Sequence, residues 1–401
     1  MSTSTTMKTP AAPAVSWSTF LKDVFVCSLG AYGGPEAHFS VLLNQLVVRK
    51  KHLTEEELIE LMALCSILPG PTSTQTIVAV GHKIGGPWLG LVTMIVWALP
   101  ALVVMAGLSF LYQFLAAHEI SRDILRFIGP MAVGFIIVAA VQIGRKVVTD
   151  RISVGLALFG AIATGILRSP WIFPAVLIAG GAVSIAFSKE RDLWNRVRLE
   201  PPWRYLVLFI VFALGGIALI AVTDHRLVIL FESFYRYGYL VFGGGQVVVP
   251  VMHGELVEIH RYMTDQEFLI GYGLVQGLPG PMFSFAAYAG GMAARGGSTL
   301  LQVLGAVAGG VGIFLPGVLL IYFVYPVWEE LKGIKAVRVS LKGINAVAGG
   351  MIAVAAVILM AKSGITAVNI IVVAISVALL FSRKVPATII VLAAILAGFL
   401  I

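Results

Sequence analysis

The feature that most constrains this chain is a four-residue phrase used twice, Leu68-Pro69-Gly70-Pro71 and Leu278-Pro279-Gly280-Pro281, each set in an apolar run. Proline lacks the backbone N–H and clashes with the preceding turn, and glycine tolerates angles closed to other residues, so a helix breaks at each copy. The chain around these breaks is 59% hydrophobic and 12% charged, with a mean hydropathy of +0.95. Its solvent is lipid. In lipid a broken backbone is tolerated only where it is buried in protein or lines a cavity, and paired broken helices are a recurrent way to build a transport site. These constraints predict an all-α polytopic membrane protein of the secondary-transporter type, with broken or re-entrant helices at the Pro-Gly-Pro motifs.

The duplication is wider than the motif. Residues 33–86 align without gaps on 243–296, with 15 of 54 positions identical, about threefold more than random pairing at this composition would give. Gly33-Gly34 falls on Gly243-Gly244, and Thr54 and Glu57, which read as a capping box, fall on Thr264 and Glu267. In the first copy, two short helices flank Gly33-Gly34-Pro35 over 20–48. A third reaches Leu68, and a fourth runs from the break to His82-Lys83. Longer apolar runs follow at 88–115, 124–143, 152–167 and 171–187. The polar stretch 189–204, with Lys189, Arg191, Arg196, Arg198 and Arg204, reads as a linker to one further helix over 205–222. The second copy then continues as runs to Tyr325, 337–360, 366–381 and 387–401. The expected plan is a disordered tail at 1–16 without a cleavable signal, a first repeat at 17–187, linker and joining helix at 188–226, and a second repeat at 227–401.

One joining helix between two repeats that each cross an even number of times would turn the second copy over, giving inverted-topology repeats. Basic residues fit this arrangement. The net charge of +8 is carried largely by short segments, among them Arg145-Lys146, Arg151, Lys332, Lys335, Arg338, Lys342 and Arg383-Lys384. With the linker in the cytoplasm these fall on the same side, as the positive-inside rule requires, so the charge is not read as nucleic-acid binding. Arg49-Lys50-Lys51 is matched only by His260-Arg261, and His82-Lys83 by the uncharged Met292-Ala293.

The helix that follows each break begins with N–H groups that lack an intrahelical partner, and its aligned dipoles make that end partly positive. Both ends suit an anion. Thr72, Ser73, Thr74 and Gln75 add donors in the first copy, where the second has Met282, Phe283, Ser284 and Phe285, so the first half is expected to hold the ligand. Gly33-Gly34-Pro35 and Gly243-Gly244-Gly245-Gln246 form a second pair of breaks that would add backbone donors. The same glycines would also serve close helix packing. Glu36 and His38, directly after the first break, are candidates for coupling proton movement to anion movement, the alternative being solvation at the interface. Glu55, Glu56, Glu57 and Glu60 read as a solvated helix start, and Arg295 as neutralising a helix C-terminus. Glu258 and His260 do not share a helical face, so His253, Glu255, Glu258 and His260 do not make a metal site. No cofactor site is expected, and Cys27 and Cys65 read as small buried residues.

With both Pro-Gly-Pro motifs, the Tyr32-Gly33-Gly34-Pro35-Glu36-Ala37-His38 segment and the stretch from Phe242-Gly243-Gly244-Gly245 to Pro250 in view, the chain resembles the chromate ion transporter family over nearly its whole length. The resemblance implies a two-domain bacterial inner-membrane protein that exports chromate and confers chromate resistance. Chromate is a tetrahedral dianion shaped like sulfate, so the donor-rich helix start after Pro71 fits what the resemblance requires. His52 and Tyr262 stand where the family often has tryptophan, a place read as an interfacial anchor. Open alternatives are a carrier of sulfate or a related oxyanion, and an anion channel. An enzyme such as a chromate reductase is disfavoured, because no nucleophile, flavin or haem constellation is present. Expected partners are the oxyanion, membrane lipid and a second copy in a homodimer.

Overall fold

The computed structural model describes residues 16–118, 124–167, 172–190, 193–194, 199–242 and 245–400, except the side chains of Pro35 and Glu36. The tail at 1–15, Gly243, Gly244, Arg191, Arg196 and Arg198 lie outside the described residues. Every regular element among them is helical. In the first repeat these are α1 (Trp17–Gly30), α2 (Pro35–Leu42) extended by a π-helical turn (Leu43–Arg49), α3 (Glu55–Ile67), α4 (Thr72–Ala117), α5 (Ile128–Val147), α6 (Arg151–Ile166) and α7 (Ile172–Ala186). The joining helix is α8 (Trp203–Val222). In the second repeat they are α9 (Arg226–Tyr239), α10 (Val248–His253) with a π-helical turn (Gly254–Ile259), α11 (Asp265–Gln276), α12 (Phe285–Ala293), α13 (Thr299–Val324), a short α14 (Trp328–Leu331), α15 (Lys335–Lys362), α16 (Ala367–Ser382) and α17 (Ala387–Leu400).

Local chemistry sets most of these boundaries. Thr54 and Glu57 close a reciprocal capping box at the start of α3, and Thr264 and Glu267 close the same box at α11. Each helix then ends within three residues of the Leu-Pro-Gly-Pro phrase, and helical structure resumes at Thr72 or Met282. The long α4 is two helices in effect, because Gly85 and Gly86 leave helical angles inside it and Gly86 has φ +76°. Gly296, its counterpart, has φ +86° in the gap between α12 and α13. The match extends to features with no local signal. Both π-helical turns close with wide bonds, Lys50 N–H to the Gln45 carbonyl and His260 N–H to the Glu255 carbonyl, and Lys51 and Arg261 both stand at φ +52°.

The two repeats interlock. Helix α15 packs against α5, α6 and α7 of the first repeat, α16 lies on α5, and α12 on α4. Close approach at the α7–α15 crossing depends on Gly180 and Gly343, where a Cβ on either would strike the other helix's backbone or side chains. Ion pairs mark the two ends of α15. At its start Arg338 meets Glu190 at 3.1 Å, Lys342 meets Asp150 at 2.6 Å, and the preceding Lys332 meets Glu60 of α3 at 2.9 Å. Lys342 and the Ser153 cap hold the Asp150 carboxyl down at about 2, so this tie stays ionised at neutral pH. At its far end Lys362 lies 3.8 Å from both Glu258 and Asp265, beside the start of α11.

Among the described residues, five segments are long and apolar enough to cross a bilayer: Thr72–Ala117, Ile128–Val147, Trp203–Val222, Thr299–Leu331 and Lys335–Lys362. Their outer faces carry Leu111, Phe114, Leu214 and Val357 in the open, as a lipid solvent permits. Helix α8 is nearly bare, with only Gly216 buried along its length.

Candidate functional site

The broken tips meet across the repeats. Gly70 N–H donates to the Val241 carbonyl at 2.8 Å, and Gly280 N–H donates to the Ala31 carbonyl at 2.7 Å. Ala31 and Val241 are equivalent positions, so this is one contact made twice with the repeats exchanged. Each Pro-Gly-Pro tip is thereby pinned to the first break of the other repeat. Gly70 and Gly280 take φ +131° and +107°, angles that L side chains rarely adopt, so the bond requires glycine at both.

Behind each tip lies a narrow crevice between the first and second broken helix pairs of that repeat. In the first repeat it is lined by Phe39, Leu42, Met62, Thr72, Ser73 and Thr76. In the second it is lined at the matching positions by Val249, Met252, Tyr272, Met282, Phe283 and Ala286, together with Phe268 and Phe285. Each is about 10 Å³, room for one water rather than a tetrahedral oxyanion.

Only the first crevice has a polar bridge. His38 in the first turn of α2 meets Ser73 in the first turn of α4, Nδ1 to Oγ at 2.9 Å. This contact brings two helix N-termini, each with unpaired N–H groups and a positive dipole end, to one place. His38 is buried, and its ring stands edge-on to Trp97 at 5.5 Å. The second repeat has Val248 and Phe283 at the same positions, and a Cβ on Gly245 would meet Phe283 and Met282.

The remaining site candidates divide. Thr74 and Ser284 are equivalent, buried, and both lack a partner for their hydroxyls. Thr76, which the sequence reading did not single out, lines the first crevice and bonds back to the Thr72 carbonyl at 2.8 Å. Gln75 is not a free donor: its Nε2 is spent on the Pro69 carbonyl at 2.8 Å, which stiffens the tip. Gln246 is half-buried beside Gly245, the Glu36 side chain lies outside the described residues, and Gly33 and Gly34 supply the positive φ that opens α2. Pro35, Pro71 and Pro281 begin or precede the helices whose ends face the tips, and Pro69 and Pro279 close the helices before them.

One reading is corrected. Arg295 does not neutralise a helix end; it forks onto Glu267, with a bond to the Tyr262 carbonyl. His52, where the family often has tryptophan, has a buried side chain with Nε2 2.8 Å from Asp23. The glutamates open α3 as read: Glu55, Glu56 and Glu60 are exposed, Glu57 closes the capping box and pairs with Lys83 at 2.9 Å, and Glu60 pairs with Lys332.

Apolar helices long enough to span, wrapped around paired broken tips, define a multi-pass membrane transporter rather than an enzyme. More closely, the chain belongs to the Chromate transporter family, whose profile matches twice, over residues 18–185 and 228–399. A chromate transport protein of Pseudomonas aeruginosa is 28% identical over 360 residues, covering 85% of this chain and 80% of that one. The chromate transport protein of Cupriavidus metallidurans is 24% identical, covering 88% and 85%. An uncharacterized transporter of Methanocaldococcus jannaschii, MJ0718, is 24% identical, covering 75% and 74%. No solved structure matches.

Proposed function

We propose that this protein carries chromate out of a bacterial cytoplasm across the inner membrane, driven by the proton gradient or by anion exchange, and that the dianion sits in the first-repeat crevice. The observation that carries the reading is the His38–Ser73 contact, which joins two helix starts beside Thr72 and Thr76 in a crevice whose duplicate is apolar. Neither crevice is lined by lysine or arginine. Backbone N–H groups and hydroxyls can hold a dianion at about 1.5–3 kcal/mol per charged hydrogen bond, with no fixed countercharge to slow its release. His38 takes a proton as the anion arrives, which couples the two movements. The Glu36 carboxylate is assigned to the same coupling, and the tips at Gly280 and Gly245 to the opposite wall.

The two repeats lie in opposite orientations, with α4 after its glycine break and α5, α6, α7 and their counterparts crossing the bilayer, and α8 turning the second copy over. Supporting this are the ends of α15, about 42 Å apart at 1.5 Å per residue for its 28 residues. The start of α3 lies at one end through Glu60–Lys332, and the start of its equivalent α11 lies at the other through Asp265–Lys362. Lys83 returning to Glu57, and Arg295 to Glu267, fit two re-entrant hairpins entering from opposite faces.

The test is labelled chromate flux in proteoliposomes, with and without a pH gradient and with sulfate as competitor. Saturable chromate flux is expected. Sulfate carried in preference to chromate would replace the substrate, and currents too large for alternating access would replace the carrier with a channel.

A further inference from the structure

The second repeat contains a buried ionic cluster that the anion site leaves unused. Arg236 on α9 grips Glu232 through Nε and Nη2 at 2.8 and 3.0 Å, and grips Glu255 on the π-helical arm through Nη1 and Nη2 at 3.0 and 2.8 Å. All three residues are 3–4% exposed. Ser233 Oγ donates to Glu255 Oε1 at 3.0 Å, and His260 Nε2, on a side chain one-third exposed, stands 3.6 Å from the same oxygen. Tyr237 is fully buried, and Glu255 acts on its hydroxyl.

The charges do not balance. Among the described residues, two carboxylates share one guanidinium, which leaves one negative charge inside a membrane protein. Burying an uncompensated charge is costly, and one added proton removes that cost. The duplicate position in the first repeat has no such excess. There a single carboxylate, Asp23, meets Lys50 at 3.3 Å, His52 at 2.8 Å and Gln45 at 3.1 Å; Gln45 replaces Glu255, and Val26 replaces Arg236.

The second cluster is also within reach of water. A crevice of about 50 Å³, large enough for a few waters, is lined by His253, Glu255 and Glu258 with Phe173 and Leu359. His253 is tied to Asp265 at 2.7 Å, and Lys362 lies 3.8 Å from Glu258 and Asp265. The titratable groups facing Glu255 are therefore Arg236, Tyr237, His253, Glu258 and His260, with Asp265 and Lys362 behind them and Arg226 stacked over Tyr262. From α8, Gly216 lies against the Glu232 side chain.

We propose that Glu232, Arg236, Glu255 and His260 form a proton-binding site of the transport cycle. The site takes one proton from the crevice at the Lys362 end, shares it between Glu255 and His260 while closed, and returns it when the repeats rearrange. Uptake makes one O–H or N–H bond and brings the cluster from one negative charge to none. The proton held here is separate from the one His38 takes and lies in the repeat opposite the anion, joined to it through the clasped tips.

This inference rests on the transport reading, so the test separates them. The full chain in proteoliposomes is assayed for chromate exchange at equal pH and for accumulation under a one-unit pH gradient, and purified protein is followed by infrared titration of its carboxyl groups. One coupled proton supports about tenfold accumulation at one pH unit. In Glu255→Gln and Glu232→Gln, which are neutral without the proton, accumulation should fall about tenfold while exchange persists, and His260→Gln should shift the pH profile. Wild-type accumulation in both glutamine variants overturns the proposal. So does a loss of accumulation and exchange in equal proportion, which would make the cluster a structural pin. Absence of exchange in the wild-type protein defeats the transport reading instead. The infrared signal then decides: a titrating carboxyl lost in Glu255→Gln supports the site, and its absence from the wild type removes it.

Discussion

At the start of the helix after each Pro-Gly-Pro break, positions 72, 73 and 76 are threonine, serine and threonine, while 282, 283 and 286 are methionine, phenylalanine and alanine. The backbone around them is nearly the same: capping box, break, positive-φ glycine, and a bond from that glycine to the opposite repeat. What the comparison teaches is that the duplication keeps what the main chain requires and frees the side chains facing the crevice. One crevice stays polar and the other is packed with aromatic rings, so the symmetry is architectural and the polar lining is one-sided. The ionic clusters lean the other way, with the buried charge excess in the second repeat.

The comparison treats the second repeat as the first turned over, and its sharpest test is all-or-none. Cysteines placed at Lys51 and Arg261, both exposed and both at φ +52°, should label from opposite faces of the membrane, against a background in which Cys27 and Cys65 are buried. Labelling of both from one face would end the inverted reading. Next in size are Gly70→Leu and Gly280→Leu. Each places a side chain at a forbidden φ and breaks a bond between repeats, so flux should be lost in both despite normal insertion. Loss in only one would mean that the tips are not equivalent.

Smaller and opposite effects are expected inside the crevices. Ser73→Ala should weaken chromate affinity by about tenfold to a hundredfold, the value of one hydrogen bond to a charged ligand. Phe283→Ala should instead lower stability by about 3–5 kcal/mol with affinity unchanged, as for an emptied aromatic core position. Competition binding and thermal unfolding of the two variants would expose a reversal. The smallest contrast is Thr74→Val against Ser284→Ala. Both remove a buried hydroxyl with no partner and should be neutral or stabilising, but only the first should reduce affinity. Equal affinity losses would place the anion on the axis between the repeats.

The sequence by itself determined the repeats, the breaks, the caps and the lipid solvent, because each depends on neighbours within a few residues: a proline beside a glycine, a threonine three before a glutamate, an apolar run of sufficient length. It also pointed to the more polar of the two helix starts. It could not show that the tips clasp across repeats, that His38 reaches Ser73 over 35 positions, or that Gln75 turns back on Pro69. Nor could it place Arg236 between Glu232 and Glu255. Reading residues 253–260 with helical spacing separates their charges, whereas the π-helical turn adds a residue to the bond from His260 to the Glu255 carbonyl. Which charges share a buried pocket depends on the packing of segments distant in the chain, and that was decided only when the two repeats folded around each other.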